Sequence, residues 1–235
     1  MKHTRAFRIV PYLVIVFFIS ILTFALSSSA LAATGTIDAN SRDSYGKGEV
    51  YGDEKFGSDI YIIKPDGGMM VTERTTAYRT ADGKNAYCLS LTKAGPNSGT
   101  YQWTGDYLSD LSASILELGF PNSLSDNPYY SGDVYFDHEI QGISLTEMYA
   151  RQATQIALWV AADDKDGNPP LEYGSTVIPN PDYGSAYNTY EASRLLFEAA
   201  KSHEPTYRYK IYYDGGDKNS HRQWIAVAEQ LPMTG

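Results

Sequence analysis

The chain has 235 residues, 43% of them hydrophobic, with 28 acidic against 19 basic residues and a formal charge of −9 at neutral pH. That length holds one domain of good size or two small ones. The acidic balance argues against nucleic acid as a partner and against a polybasic membrane patch.

The N-terminus carries Lys2, Arg5 and Arg8 with no acid, then an apolar run from Ile9 to Leu26, then Ser27, Ser28, Ser29 and Ala30-Leu31-Ala32. A basic head, an apolar core and a small-residue exit form the grammar of a secretory signal, read here as residues 1–32. Without it the chain keeps 16 basic against 28 acidic residues, a formal charge of −12. Residues 33–57 are rich in Gly, Ser, Asp and Lys without an apolar period and read as a flexible lead-in.

From Ser58 the pattern is that of a folded domain, taken as residues 58–229. Asp59 to Ile63 reads as a strand, Pro65-Asp66-Gly67-Gly68 as a turn, and Met69 to Thr75 as an antiparallel return. Ala86-Tyr87-Cys88-Leu89 is a third short extended run. Gly, Pro, Asn, Ser and Thr across residues 93–105 predict a loop. Leu108, Leu111, Ile115 and Leu118 recur at helical spacing, and Gly119 and Pro121 stop that helix. Residues 121–142 are polar and Tyr-rich and read as a long surface loop.

Ser144-Leu145-Thr146-Glu147 fits a capping box. The helix it opens runs to about Ala162, with Met148, Ala153, Ile156, Ala157 and Val160 on an apolar side. Asn188-Thr189-Tyr190-Glu191 predicts the cap of a further helix ending near Pro205. Tyr207, Tyr209, Ile211 and Tyr213 then alternate, Asp214-Gly215-Gly216-Asp217 turns the chain, and Gln223 to Glu229 returns as a strand. Strands first, helices between and strands last imply a mixed α+β domain.

Asp163-Asp164-Lys165-Asp166-Gly167-Asn168 fails the calcium-loop pattern, because setting Gly167 sixth puts Ala162 at the first ligand. The scattered histidines and single cysteine give no zinc ligand set. No metal or cofactor is therefore expected. Tyr207, Tyr209 and Tyr213 read as packing residues. Tyr129, Tyr130 and Tyr135 stay open between packing and a binding surface.

Cys88 is the one cysteine of an exported chain. It can pair with another chain, lie buried and inert, or react. Read alone, it also suits a cysteine hydrolase or acyltransferase with His138, His203 or His221 as base, or an inert thiol in a non-covalent binding module of the cell wall.

Read with Thr154-Gln155-Ile156-Ala157-Leu158-Trp159, the pattern resembles the thioester domains of Gram-positive surface adhesins. Those domains carry a Cys after an aromatic or large apolar residue, here Tyr87-Cys88, and a T-Q-x-A-Φ-W helix, here with Thr154, Gln155, Ala157 and Trp159 in the specified places. Gly119-Phe120-Pro121-Asn122 matches the family's helix end G-[FY]-P-N. The resemblance implies an antiparallel, barrel-like β part with an inserted helical part, and an internal thioester between Cys88 and Gln155 at their junction. It implies single-use attachment to a Lys amine on a host or surface protein, without enzymatic turnover. A base near the bond helps such an attack; His138, His203 and His221 are candidates, as are Asp137 and Glu139, with His138 put first.

The C-terminal Leu231-Pro232-Met233-Thr234-Gly235, within residues 230–235, resembles the LPxTG motif of sortase substrates. This implies cleavage between Thr234 and Gly235 and transfer to peptidoglycan or a pilin. The expected location is secreted, at the cell surface and anchored to the wall.

Overall fold

Apolar alternation around residues 85–90 and 210–227 builds the centre of a seven-stranded antiparallel sheet in the computed structural model. The chain divides into two units, residues 1–34 and 35–235. The structure describes residues 36–37, 43–44, 60–63, 69–71, 76–80, 84–90, 93–94, 99–162, 170–179 and 184–233, all in the second unit. The expected secretory signal lies outside the described residues, as do most of the expected lead-in and the acidic stretch 163–168. Among the described residues no helix is long and apolar enough to cross a membrane.

The strands in chain order are β1 (Thr36–Ile37), β2 (Asp43–Ser44), β3 (Ile60–Ile63), β4 (Met69–Val71), β5 (Thr76–Arg79), β6 (Asn85–Cys88) and β7 (Gly99–Tyr107). After the first helix, α1 (Asp110–Leu118), come β8 (Leu124–Ser131), β9 (Val134–Ile140) and β10 (Ile143–Leu145). Helix α2 (Glu147–Ala161), β11 (Val177–Pro179) and helix α3 (Gly184–Ala200) follow. The chain closes with β12 (Tyr207–Arg208), β13 (Lys210–Asp214), β14 (Ile225–Val227) and β15 (Leu231–Pro232). The main sheet runs β1-β7-β13-β14-β6-β5-β2, beside small sheets β10-β9-β8, β11-β3-β4 and β12-β15. The fold is thus α+β, with the helical part inserted between β7 and β13, neighbours in the main sheet.

The two faces of β6 serve different cores. Tyr87 and Leu89 join Ala226, Tyr209 and buried residues of all three helices in the main core. Ala86 and Cys88 face the other way, with Tyr78, Tyr101, Tyr212, Ile225 and Val227. This is the period-2 alternation of a strand buried on both faces.

Several expectations are corrected. Part of the predicted 93–105 loop is β7, because Tyr101 buries fully and Tyr and Thr favour the pleated backbone over the turn residues before them. Residues 121–142 are largely the β8–β9 hairpin. The side chains of β8 nearly all meet solvent and show no apolar alternation. In β9, Val134, Phe136, His138 and Ile140 alternate with polar or more exposed neighbours, His138 and Ile140 being buried. Cross-strand rings hold the hairpin, with Tyr129 stacked on Phe136 at 5.0 Å and Tyr130 against Tyr135 at 4.6 Å. Gly132 turns it at φ 63°.

The cap of α2 is Thr146, whose Oγ1 accepts from the Tyr149 N–H, and not Ser144, which pairs with Glu139 inside β10. Both hydroxyls suit a cap, and the sheet ladder decides between them. Helix α2 has no solvated side from Ala150 to Leu158, since all nine residues are buried. Helix α3 begins at Gly184, one turn before the expected cap, and Thr189 lies fully buried within it. The return strand of the last hairpin is only Ile225–Val227.

Glu117 ties the end of α1 to the chain entering β12. Its Oε1 accepts the N–H groups of Thr206 (2.8 Å) and Tyr207 (2.6 Å), and its Oε2 meets Thr206 Oγ1 and His203 Nε2, each at 3.0 Å. Burial pushes this carboxyl up, but the four hydrogen bonds outweigh it and hold it below the usual carboxylate range. A depressed folded-state pKa stabilises above the unfolded value and is lost as pH falls through the folded one. Glu117→Gln is therefore expected to be less stable than the parent at pH 7. The gap in urea midpoint should close as pH falls below about 4, the ordinary carboxylate range.

Candidate functional site

In an antiparallel strand a residue's N–H and C=O point to the same edge, and the edge alternates along the chain. The Leu89 N–H bonds Trp224 O at 3.0 Å and Asn85 O accepts from the Ala228 N–H at 2.8 Å, so odd positions of β6 face β14. The N–H and C=O of Cys88 therefore face the opposite edge. There β5 pairs with Asn85 and Ala86, in a ladder that stops short of Cys88.

Gln155 takes over that edge. The Cys88 N–H donates to Gln155 Oε1 at 3.0 Å, and Gln155 Nε2 donates to Cys88 O at 2.6 Å. Donor and acceptor fix the amide one way round. Its carbonyl carbon, between Oε1 and Nε2, faces the residue that bears the thiol. Cys88 is 4% exposed and Gln155 3%, so the contact is dry.

Two short motifs hold α2 in place. Thr154 Oγ1 donates back to Ala150 O and accepts the Phe120 N–H, both at 2.9 Å. Phe120 O in turn accepts from the Tyr87 hydroxyl at 2.7 Å. The residue before Cys88, the end of α1 and the residue before Gln155 are thus chained together by buried hydrogen bonds. Gly119 allows the close approach: a Cβ there would stand 2.5 Å from Thr154 Oγ1 and 2.8 Å from Ile115 O. Arg151 stacks on the Phe120 ring at 5.0 Å and donates to Asn85 Oδ1, joining the start of β6 to the same helix.

Of the other residues expected at the site, Ala157 is fully buried in the helical core, and Trp159 packs on the cluster of Ile156, Val177 and Tyr190. His138 is buried with Nδ1 3.1 Å from Ser123 Oγ, Nε2 3.9 Å from Asp137 Oδ1 and its ring 5.0 Å from Phe120. These partners are not Cys88 or Gln155. His203 is engaged by Glu117, and His221 is exposed. Leu231 and Pro232 pair with β12, while Thr234 and Gly235 lie outside the described residues.

Tyr101 is a neighbour the sequence reading missed, because it fell in the expected loop. It is fully buried in the Cys88 cluster, and among the described residues its hydroxyl has no hydrogen-bond partner. Burial, then Asp214 and Cys88, pushes its phenol far above the ordinary value and keeps it neutral. Alternation of Tyr101 and Trp103 between threonines was the available signal.

No group of His, Cys, Asp and Glu among the described residues is arranged to hold a metal ion.

The thioester-domain family model matches residues 85–202. Among solved structures, the Bacillus anthracis TIE protein is similar at 16% identity over 85% of this chain, with a TM-score of 0.47. This chain spans 39% of that one. The thioester domain of the Enterococcus faecium TIE86 protein is similar at 12% identity over 85% of this chain and 77% of its own, with a TM-score of 0.47. The N-terminal thioester domain of a Clostridium perfringens surface protein is similar at 15% identity over 68% and 90%, with a TM-score of 0.41. A comparison with curated proteins gives no match.

Thr154→Val removes the acceptor of the buried Phe120 N–H and should cost about 1–3 kcal/mol in urea unfolding. Thr154→Ser keeps the hydroxyl and should lose clearly less.

Proposed function

This chain belongs to the thioester-domain family, and we propose on that premise that Cys88 and Gln155 form an internal thioester that attaches the protein covalently to a partner amine. The observation that carries the reading is the two-point contact between the Gln155 amide and the backbone of Cys88. The thiolate of Cys88 attacks the Gln155 carbonyl carbon, and negative charge grows on Oε1. The Cys88 N–H already donates to that oxygen, which is the placement an oxyanion donor needs. The C–N bond then breaks, Nε2 takes up the thiol proton, and ammonia leaves. Helix and strand hold the reacting groups together before the reaction, so little orientation remains to be found.

Capture runs through the same carbon. A lysine ammonium first gives one proton to solvent. The neutral amine forms a C–N bond, the C–S bond breaks, and the second amine proton passes to the Cys88 sulfur. The products are an amide at Gln155 and a Cys88 thiol. Nothing regenerates the thioester, so the reaction is single-use and not enzymatic turnover. Burial of Cys88 and Gln155 keeps water from the bond until then. A cysteine hydrolase needs a histidine at the sulfur, whereas the partners of His138 are Ser123, Asp137 and Phe120.

The wider reading is an adhesin secreted through residues 1–32 and displayed on the surface of a Gram-positive cell. In it the Leu231–Gly235 motif serves as a sortase substrate for attachment to peptidoglycan or a pilin, and the partner is a host or surface protein with an accessible lysine.

A labelled primary amine incubated with the folded protein should appear on the peptide containing Gln155. Cys88→Ala and Gln155→Ala should both abolish labelling. Their stabilities should differ, because Gln155→Ala alone leaves the buried Cys88 N–H and C=O without the amide, a loss of about 1–3 kcal/mol. Labelling that survives in Gln155→Ala contradicts the proposal.

A further inference from the structure

We propose that the cleft at the open end of β6 is an encounter site for the ammonium group of the target lysine, and that Lys218 is this chain's own stand-in for it. The inference rests on the thioester reading and names how that site recruits its amine.

The cleft has a volume of about 380 Å³. Leu89 and Ser90, the two residues after Cys88, form part of one wall, and Ala162, just past the end of α2, lies on another. Ala162 follows Gln155 by two turns on the same helix face, roughly 10 Å along the axis. Cleft and thioester pair thus share one strand–helix seam. The remaining lining places a single carboxylate, Asp106, among the rings of Tyr107, Tyr213 and Trp224.

That arrangement already holds a primary ammonium. Lys218 Nζ pairs with Asp106 Oδ2 and lies 5.5 Å from the centre of the Tyr213 ring. The Tyr213 hydroxyl donates to the same carboxylate oxygen at 2.7 Å. A carboxylate and a ring face are the two groups that recognise an alkylammonium. A second ammonium, that of Lys93, sits 4.6 Å from the Trp224 ring.

Lys218 is held loosely. Its side chain is 50% exposed and that of Asp106 36%, and so exposed a pair exchanges for another ammonium at small cost. The Lys218 carbonyl accepts from Trp224 Nε1 at 3.1 Å, so the loop backbone can stay while the side chain swings out. Asp106 keeps its Tyr213 hydrogen bond when Lys218 leaves. The formal charge of −9 favours the approach of a cation. A lysine is charged in solution and must be neutral to attack. A carboxylate at the wet end of the seam collects the charged form, and the dry seam beyond favours the neutral one.

The test compares two nucleophiles on the folded protein, Nα-acetyl-lysine amide, which is cationic, and hydroxylamine, which is uncharged at neutral pH. Intact mass before addition reports whether the thioester is present. The ratio of the two adduct rates reports on the cleft. Asp106→Asn should lower the lysine-to-hydroxylamine ratio about two- to fivefold, the scale of one exposed ion pair, and Lys218→Ala should raise it by a similar factor. An unchanged ratio in both variants overturns the proposal, including the case where both rates fall together. Cys88→Ala, which has no thioester, tests the cleft separately. Its Trp224 indole resonance should shift saturably with Nα-acetyl-lysine amide, and a further Asp106→Asn change should remove the shift. A Trp224 signal indifferent to the lysine derivative also overturns the proposal.

Discussion

The side-chain amide of Gln155 occupies the edge that β5 leaves beside Cys88, and much of the surrounding structure serves to keep it there. A side-chain amide carries the same donor and acceptor as a peptide group, so it can complete a strand edge without a strand. By meeting both the N–H and the C=O of Cys88, it brings its carbonyl carbon to the residue that bears the only sulfhydryl of the chain. The buried backbone of Cys88 needs a partner, and on the proposed function that partner is also the electrophile.

This contact requires α2 to stand at one height and one rotation against β6. The height is set by Gly119, whose missing Cβ lets the end of α1 close on Thr154, and by the Thr154–Phe120–Tyr87 hydrogen bonds. The link is short and dry, and it joins the residues immediately before Cys88 and Gln155. Burial of α2 on every side from Ala150 to Leu158 leaves it no solvated face on which to roll. On the proposed function, that rigidity suits a reaction whose difficulty lies in holding two groups together rather than in supplying an external catalyst. His138 contributes to the same neighbourhood as a packing partner of Phe120.

That Cys88 and Gln155 should meet was an expectation of the sequence pattern, and the structure brings the Gln155 amide to the Cys88 backbone. A lone cysteine behind a secretory-signal pattern calls for an explanation, and the six residues from Thr154 to Trp159 match a specific signature. The helices and the Asp214–Asp217 turn were legible from period and turn residues. The β8–β9 hairpin was not, since β8 is wetted on both faces and has no apolar alternation, the Val134-Phe136-His138-Ile140 alternation of β9 is short and includes a polar residue, and the aromatic pairs become visible only across strands. Tyr101 was hidden by the Gly- and Asn-rich residues before β7. The cap at Thr146 was ambiguous because Ser144 offers the same hydroxyl, and only the pairing of Ser144 with Glu139 resolves it. Local grammar sets element type more firmly than element ends, which tertiary contacts decide.

The central claim is that Cys88 and Gln155 are covalently joined in the folded protein. It is tested most directly by the intact mass of freshly purified, native chain, measured beside Cys88→Ala. The account predicts that the parent is lighter than its sequence mass by one ammonia, that its Cys88 does not titrate with a thiol reagent, and that Cys88→Ala has its full sequence mass. A parent of full mass with a titratable Cys88 would contradict it.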